Sequence, residues 1–424
     1  MTPQAEAVLD AARAELAQTR RPPDYGEAVY EGKHDIMDAA LAAPLTMLAI
    51  ELLRIAHADR RTRDYTTIGL RHAIAEIAAR FPVYRTYISK DGASSTDVRS
   101  IDWAVGAAKR ASRIADPSVF DFVRSVLTLE AAPRAGERRT QMLRFVTRFQ
   151  QFTAPVVAKG VEDTAFYRYN RLVSLNEVGG TPARFGVGSS EFHGFCMWAA
   201  QHWPRSMLAS STHDNKRSED TRMRISLLSQ MPEAFSAAVR EWSEMASKYR
   251  VGGSPDRAAE FLFWQTLVGA WPISEERLVG YMIKAAREAK LHTSWLNVRS
   301  EYEQGLKVYC TRVLQDADLC ERVDQFMQKL NPLAQQASLS LSVIKLTAPG
   351  IPDIYQGNEL WDDSLVDPDN RRPVDFELRR AVLDEVFQAD PGTLWEQRRN
   401  GRVKLWALTR CLHVRQEAAE AFGR

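Results

Sequence analysis

Apolar side chains recur at helical spacing through most of this chain, and that periodicity limits its fold more than any other feature. Leu45, Leu48, Leu52 and Ile55 repeat every three or four residues, as do Leu70, Ile74, Ile77 and Phe81 ahead of Pro82. Such spacing draws one apolar stripe along each helix, to be buried against a neighbour. Asp116-Pro117 reads as a cap followed by proline at the first helical position, with Val119, Phe122, Val123 and Val126 as the stripe behind it. Residues 1–153 are therefore expected to form a helical lobe. Val83 to Ile88 (VYRTYI), β-branched and aromatic, is the one strand candidate within it.

Residues 154–424 carry a different signal. The run Met207-Leu208-Ala209 passes abruptly into Ser210-Ser211-Thr212-His213-Asp214, like a buried strand whose far end turns polar. Asn331-Pro332 reads as the cap of a helix with Leu333, Ala337, Leu341 and Ile344 on one face, and that helix stops at Pro349-Gly350. Ile351 to Tyr355 (IPDIY) is a second strand-like run, opening into Gly357-Asn358-Glu359. A last amphipathic helix carries Leu405, Leu408 and Leu412. Strand, helices, strand, helix is the alternation of a parallel sheet or barrel, so the fold class is α/β and helix-dominated. Met207 to Ser211 and Ile351 to Tyr355 should then pair in parallel and present their polar ends on one face. In parallel barrels that face holds the active site.

Composition narrows the partners. At 424 residues, more than one lobe is expected. There are 56 basic against 54 acidic side chains, a formal charge of +2, which gives no footprint for nucleic acid or an anionic membrane. Cys196, Cys310, Cys320 and Cys411 show neither CxxC pairing nor zinc-ligand spacing, so reduced thiols, a cytoplasmic location and no metal or other cofactor are expected. Met1 to Arg21 contains no signal-peptide apolar core, and the stretch from Ala39 to Leu53 is broken by Pro44, Thr46 and Glu51.

Several motifs are more specific. SSTHDNKRSED (Ser210 to Asp220) resembles the seventh-strand motif of the α-amylase superfamily, glycoside hydrolase family 13, and GIPDIYQGNE (Gly350 to Glu359) resembles its eighth-strand motif. AKGVEDTAFYRYNRL (Ala158 to Leu172), SLNEVGG (Ser174 to Gly180), Lys216 and LVDPDNRRPVDFELR (Leu365 to Arg379) are narrower. With RRTRDYT (Arg60 to Thr66), FPVYRTYI (Phe81 to Ile88) and ADPSVFDF (Ala115 to Phe122), they resemble the C-terminal half of the maltooligosyl trehalose synthases. The resemblance implies a partial (β/α)8 barrel of the α-amylase type with a large helical insertion lobe. It also implies an isomerase, a (1→4)-α-D-glucan 1-α-D-glucosylmutase, which turns the reducing-end α-1,4 bond of a maltooligosaccharide into an α,α-1,1 trehalose bond.

On that resemblance Asp214 corresponds to the third catalytic carboxylate, and His213 to a ligand of the same sugar. Lys216 and Lys159 would grip the glucose that must turn over, and Tyr167 and Tyr169 would offer stacking faces. Glu162 and Asp163 read as positioning groups, since adjacent carboxylates on one element point apart. Glu359 and the loop from Asp367 to Arg372 read as loop-fixing. No strand-end motif before Ala158 supplies a nucleophile or general acid, so the chain is expected to be inactive alone, with the missing N-terminal half as a candidate partner on a separate chain. An incomplete barrel should also leave an exposed apolar seam. Two alternatives stay open: a non-catalytic carbohydrate-binding or assembly half-barrel, and an amylase-like glycoside hydrolase.

Overall fold

A computed structural model describes residues 3–17, 24–112 and 116–422. The chain divides into two compact units, 23–169 and 1–22 with 170–424. Position 153/154 falls inside the helix Glu137–Val157, and the helix Pro3–Ala17 groups with the C-terminal unit. Ala115, at the head of the ADPSVFDF motif, lies outside the described residues.

In the helical unit every expected stripe is interior. Leu45, Leu48, Leu52 and Ile55 join Leu70, Ile74, Ile77, Phe81, Val119, Phe122, Val123 and Val126 in one apolar core, closed by Phe145 and Phe149 of the helix Glu137–Val157. Local chemistry starts the helices. Asp24 and Thr66 cap through their side chains, and Ser94 with Asp97 forms a reciprocal capping box. Asp116 accepts from the Ser118 N–H at 2.9 Å ahead of the helix Ser118–Leu127.

Val83 to Ile88 is not a strand. The Tyr87 and Ile88 N–H groups donate to the Asp97 and Gln150 side chains at 2.9 and 2.7 Å, and Gln150 returns a bond to the Ile88 carbonyl at 3.2 Å. Side chains from two helices thus satisfy a backbone that has no partner strand. The motif from Ala158 to Ala165 is a π-helix continuing from Val157, and it packs backbone to backbone on the helix Tyr25–Asp38. A Cβ on Gly32 would lie 2.4 Å from the Gly160 carbonyl oxygen, and one on Gly160 would lie 2.7 Å from Lys33 Cα, so both must be glycine.

The C-terminal unit contains the two expected strands, in parallel: β1 (Met207–Leu208) pairs with β2 (Ile351–Pro352) in the register Met207 to Ile351 and Leu208 to Pro352. The pairing is shorter than Met207 to Ser211 and Ile351 to Tyr355. These are the only strands among the described residues, so a two-stranded sheet stands where a partial barrel was expected. Gly350 permits the approach, because a Cβ there would sit 2.7 Å from the Ser206 carbonyl oxygen. Met207 is 69% and Ile351 43% exposed, and Phe195, Trp198 and Trp203 stand exposed along the preceding helix and the turn into β1. These side chains leave an exposed apolar patch beside the two-stranded sheet.

The long helix Ala317–Thr347 runs straight through Pro332, so Asn331-Pro332 is not a cap. A proline within a helix costs about 3 kcal/mol, and packing on both sides of it has to offset that. Arg415 of the helix Arg402–Glu417 donates to the Leu346 and Gly350 carbonyls at 2.8 and 2.6 Å, tying the helix end to the start of β2.

Candidate active site

The residues after β1 are held by those after β2. Asn370 Nδ2 donates to the His213 carbonyl at 3.1 Å and the Thr212 carbonyl at 3.3 Å, while the Tyr355 hydroxyl donates to the Asn370 carbonyl at 2.9 Å. Arg371 donates to the His213 carbonyl at 3.4 Å and lies 3.5 Å from Asp214 Oδ1. The other carboxylate oxygen of Asp214 is 3.4 Å from His213 Nε2. Both side chains are about two-thirds exposed. An imidazole, a carboxylate and a guanidinium therefore share one open rim at the C-terminal ends of two parallel strands.

The loop that presents Arg371 is itself fixed by charge. Asp369 takes the Leu365 N–H at 2.7 Å and two bonds from Arg277 at 2.8 and 2.9 Å. Burial alone would raise the Asp369 carboxyl, but the Arg277 guanidinium and that N–H hold it below the usual range. Lys284 binds both the carboxylate and the carbonyl of Asp367. Glu359 accepts from the Gly357 N–H and from Arg379, a loop-fixing role. Asp367 and Asp369 are thus each tied to a cation of the helix Glu275–Ala289, while Asp214 meets Arg371 from an exposed position.

Behind the rim lies a buried charge cluster. Lys404, fully buried, reaches Glu219 at 2.8 Å and Asp220 at 2.7 Å, and Lys345 reaches Glu219 at 3.1 Å. Burial would raise Glu219, yet the Lys404 and Lys345 ammoniums bring it down to about 2. Asp220 is instead pushed up, by burial first and by the neighbouring Glu219. The Glu219 N–H donates to Ser211 Oγ at 2.8 Å, and the Ser210 hydroxyl bonds the Glu219 carboxylate. The cluster thus anchors the residues just before His213 to the helices Ala317–Thr347 and Arg402–Glu417.

No family model matches the sequence. A putative maltooligosyl trehalose synthase of Mycobacterium tuberculosis is 46% identical over 264 residues, which is 61% of this chain and 33% of that protein. The solved maltooligosyltrehalose synthase of Arthrobacter ramosus superposes with a TM-score of 0.82 at 34% identity, over 99% of this chain and 50% of that one. A second solved maltooligosyl trehalose synthase gives 0.77 at 28% identity, over 100% of this chain and 51% of that one. The chain is a relative of the maltooligosyl trehalose synthases. It spans about a third to a half of the length of those it matches.

The segments that resemble the maltooligosyl trehalose synthases fall in both units. SLNEVGG and the His213-Asp214 segment meet through Glu177, whose Oε1 accepts from the Lys216 N–H at 2.9 Å and whose Oε2 pairs with Arg222 at 3.1 Å. The Lys216 side chain is buried, not displayed. Lys159, Tyr167 and Tyr169 belong to the helical unit. Lys159 is exposed and paired with Asp163 at 2.8 Å, and Glu162 accepts from the Tyr84 hydroxyl. Tyr167 and Tyr169 are 8% and 3% exposed, with Tyr169 edge-on to Tyr25 at 5.3 Å. Their rings pack in the interior, which corrects the expectation that they offer faces to a sugar.

Sequence reasoning missed Glu177, Arg371, Asn370 and the lysines of the buried cluster. The first three lay inside motifs already singled out for this family. Lys345 and Lys404 carried no local signal, since their partners are 126 and 184 residues away.

Proposed function

We propose that the chain is part of a (1→4)-α-D-glucan 1-α-D-glucosylmutase and supplies its sugar-orienting rim. The observation that carries this reading is the exposed His213–Asp214 pair, held by Asn370 and Arg371 beside two parallel strands. β1 and β2 are read as neighbouring strands of a barrel that the rest of the relatives' length would complete.

The chemistry requires a retaining double displacement. A carboxylate nucleophile takes the penultimate glucose, an acid protonates the departing oxygen, and the released glucose turns over and attacks through its anomeric hydroxyl. In this reading Asp214 hydrogen-bonds the sugar at the cleavage site and favours the oxocarbenium-like transition state, with His213 on the same ring. Holding the released glucose gives an effective molarity of about 10⁵ M or more over free water. Lys216 is buried and Lys159 belongs to the other unit, so neither is assigned to that second glucose. The nucleophile and general acid come from the remainder of the protein, whether continuous or on a separate chain, and the reaction is cytoplasmic. Among the described residues no single helix is long and apolar enough to cross a bilayer.

Two measurements test this. The chain alone, incubated with maltopentaose, should lose no reducing ends; steady turnover would mean that carboxylates within this sequence suffice. With the remaining half supplied, Asp214→Asn should lower kcat by at least about 10³, roughly 4 kcal/mol, with little change in KM. Retained activity in that variant removes Asp214 from the machinery.

A further inference from the structure

The loop that carries His213 and Asp214 is exposed at its tip and buried at both feet, Ser211 before the pair and Lys216 after it. Such a loop aims its tip only as well as its feet are held. The foot after the tip ends on Glu177, whose Oε1 accepts from the Lys216 N–H at 2.9 Å. The foot before the tip reaches the same carboxylate through Arg222. One terminal nitrogen of Arg222 donates to Glu177 Oε2 at 3.1 Å, and the other donates to the Ser210 carbonyl.

Glu177 is itself fixed by the SLNEVGG turn. Its Oε1 also takes the Val178 N–H at 2.9 Å, and the Gly180 N–H donates to its carbonyl at 2.7 Å. A Cβ on Gly180 would lie 2.8 Å from that carbonyl oxygen, so the turn that seats Glu177 needs glycine there. The side chains of Glu177 and Arg222 are both largely buried, and water competes little for their bonds. Asn370 holds the Thr212 and His213 carbonyls, and the Glu219 N–H holds Ser211 Oγ, but neither contact joins one end of the loop to the other.

We infer that Glu177 is a positioning residue: its two carboxylate oxygens close the His213–Asp214 loop at both ends, and its charge rather than its bulk sets the tip. That the tip serves glucosyl transfer rests on the proposed function; that Glu177 closes the loop does not. Charge and bulk separate cleanly here. An amide of the same shape has one acceptor oxygen where the carboxylate has two, and its nitrogen only donates. Glu177→Gln therefore has to release one foot, either the Lys216 N–H or Arg222 and with it the Ser210 carbonyl. Glu177→Ala releases both.

The test is NMR of the whole chain with labelled backbone amides and histidine rings, His213 being assigned by its own substitution. Three signals are read. The first is exchange of the Lys216 amide. The second is the ¹⁵N resonance of Ser211, whose peptide unit contains the Ser210 carbonyl. The third is the displacement of the His213 ring resonances caused by Asp214→Asn at fixed pH, which reports how closely that carboxylate faces the ring. In Glu177→Ala, Lys216 exchange should quicken by about tenfold or more, Ser211 should move, and the His213 response should fall by about half or more. In Glu177→Gln one foot alone should respond, and the His213 response should still fall. Arg222→Gln should move Ser211 and leave Lys216 exchange as it was; it decides the question if Glu177→Ala does not fold, and an unmoved Ser211 there overturns the inference. If Glu177→Gln changes none of the three signals, the side chain is filler and the inference falls. It falls too if both feet loosen in Glu177→Ala while His213 keeps its full response, because Asn370 then fixes the tip without help. None of these results touches the proposed function, which Asp214→Asn in the completed protein decides separately.

Discussion

In residues 23–169 the interior is hydrocarbon: the stripes of five successive helices meet around Phe145 and Phe149. In the C-terminal unit, the segment that presents His213 and Asp214 rests instead on Glu219, Asp220, Lys345 and Lys404. Two buried lysines make the contrast measurable. Lys33, in the helical unit, has a carbonyl for a partner, that of Phe81 at 3.0 Å, and burial drives it down to about 8. At Lys404 burial acts in the same direction, but Asp220 and Glu219 outweigh it and raise the ammonium. One unit tolerates a charge in its core; the other is built around several.

The largest expected effect comes from breaking the cluster. Lys404→Met leaves Asp220 and half of Glu219 buried without a counter-ion, which typically costs about 3–5 kcal/mol. Hydrogen exchange resolved by unit should show residues 170–424 opening and residues 24–112 unchanged. Leu52→Ala, at a core position with no exposed surface, should give the mirror image at about 2–5 kcal/mol. Equal loss of protection in both units from either change would show that the units do not differ in how they are held.

Alkaline pH sharpens the same contrast. A lysine lowered from 10.5 to about 8 means the unfolded chain binds more protons between those values, so stability rises with pH across that window. The gain at Lys33 is at most about 3 kcal/mol, since each tenfold change in proton affinity corresponds to about 1.4 kcal/mol. Lys404 has the opposite sign: its contribution is present below pH 10.5 and is lost as pH rises through its raised value. Comparing the chain with its Lys33→Met variant from pH 8 to 10.5 isolates the first effect. An equal stability difference at both ends of that range would mean that Lys33 is not held neutral by burial.

Much of this architecture was legible because periodicity is local. Leu45 to Ile55 and Val119 to Val126 announced their core faces, and the switch from Met207-Leu208 to Ser210–Asp214 announced a strand end. Val83 to Ile88 misled for a physical reason. Its residue types suit a strand, but whether a backbone forms a ladder depends on a partner, and here Gln150 and Asp97 took that place. Asn331-Pro332 misled because capping residues report what a helix start prefers, while this helix of 31 residues begins at Ala317 and carries Pro332 inside it. At the site, His213 and Asp214 were visible as a pair. Arg371 and Asn370 were visible only as part of a loop, since nothing local tells a loop-fixing arginine from one aimed at a carboxylate far off in the sequence.

Arg371 gives the smallest expected effect on stability. It is about half exposed and 3.5 Å from an Asp214 that is more exposed still, and pairs of that kind are worth under about 1 kcal/mol. Arg371→Ala should therefore leave the melting temperature nearly unchanged, unlike Lys404→Met. Its effect belongs to orientation. Without the guanidinium, Asp214 keeps its Thr212 contact at 3.2 Å, but the His213 carbonyl retains only Asn370. Amide exchange at Thr212 to Asp214 should quicken while the buried cluster stays protected. If Arg371→Ala instead melts the unit as Lys404→Met does, the rim loop is part of the unit's support and the division between holding charges and presenting charges fails. If exchange at His213 and Asp214 does not change, Asn370 alone sets the rim, and Arg371 contributes only charge beside the carboxylate.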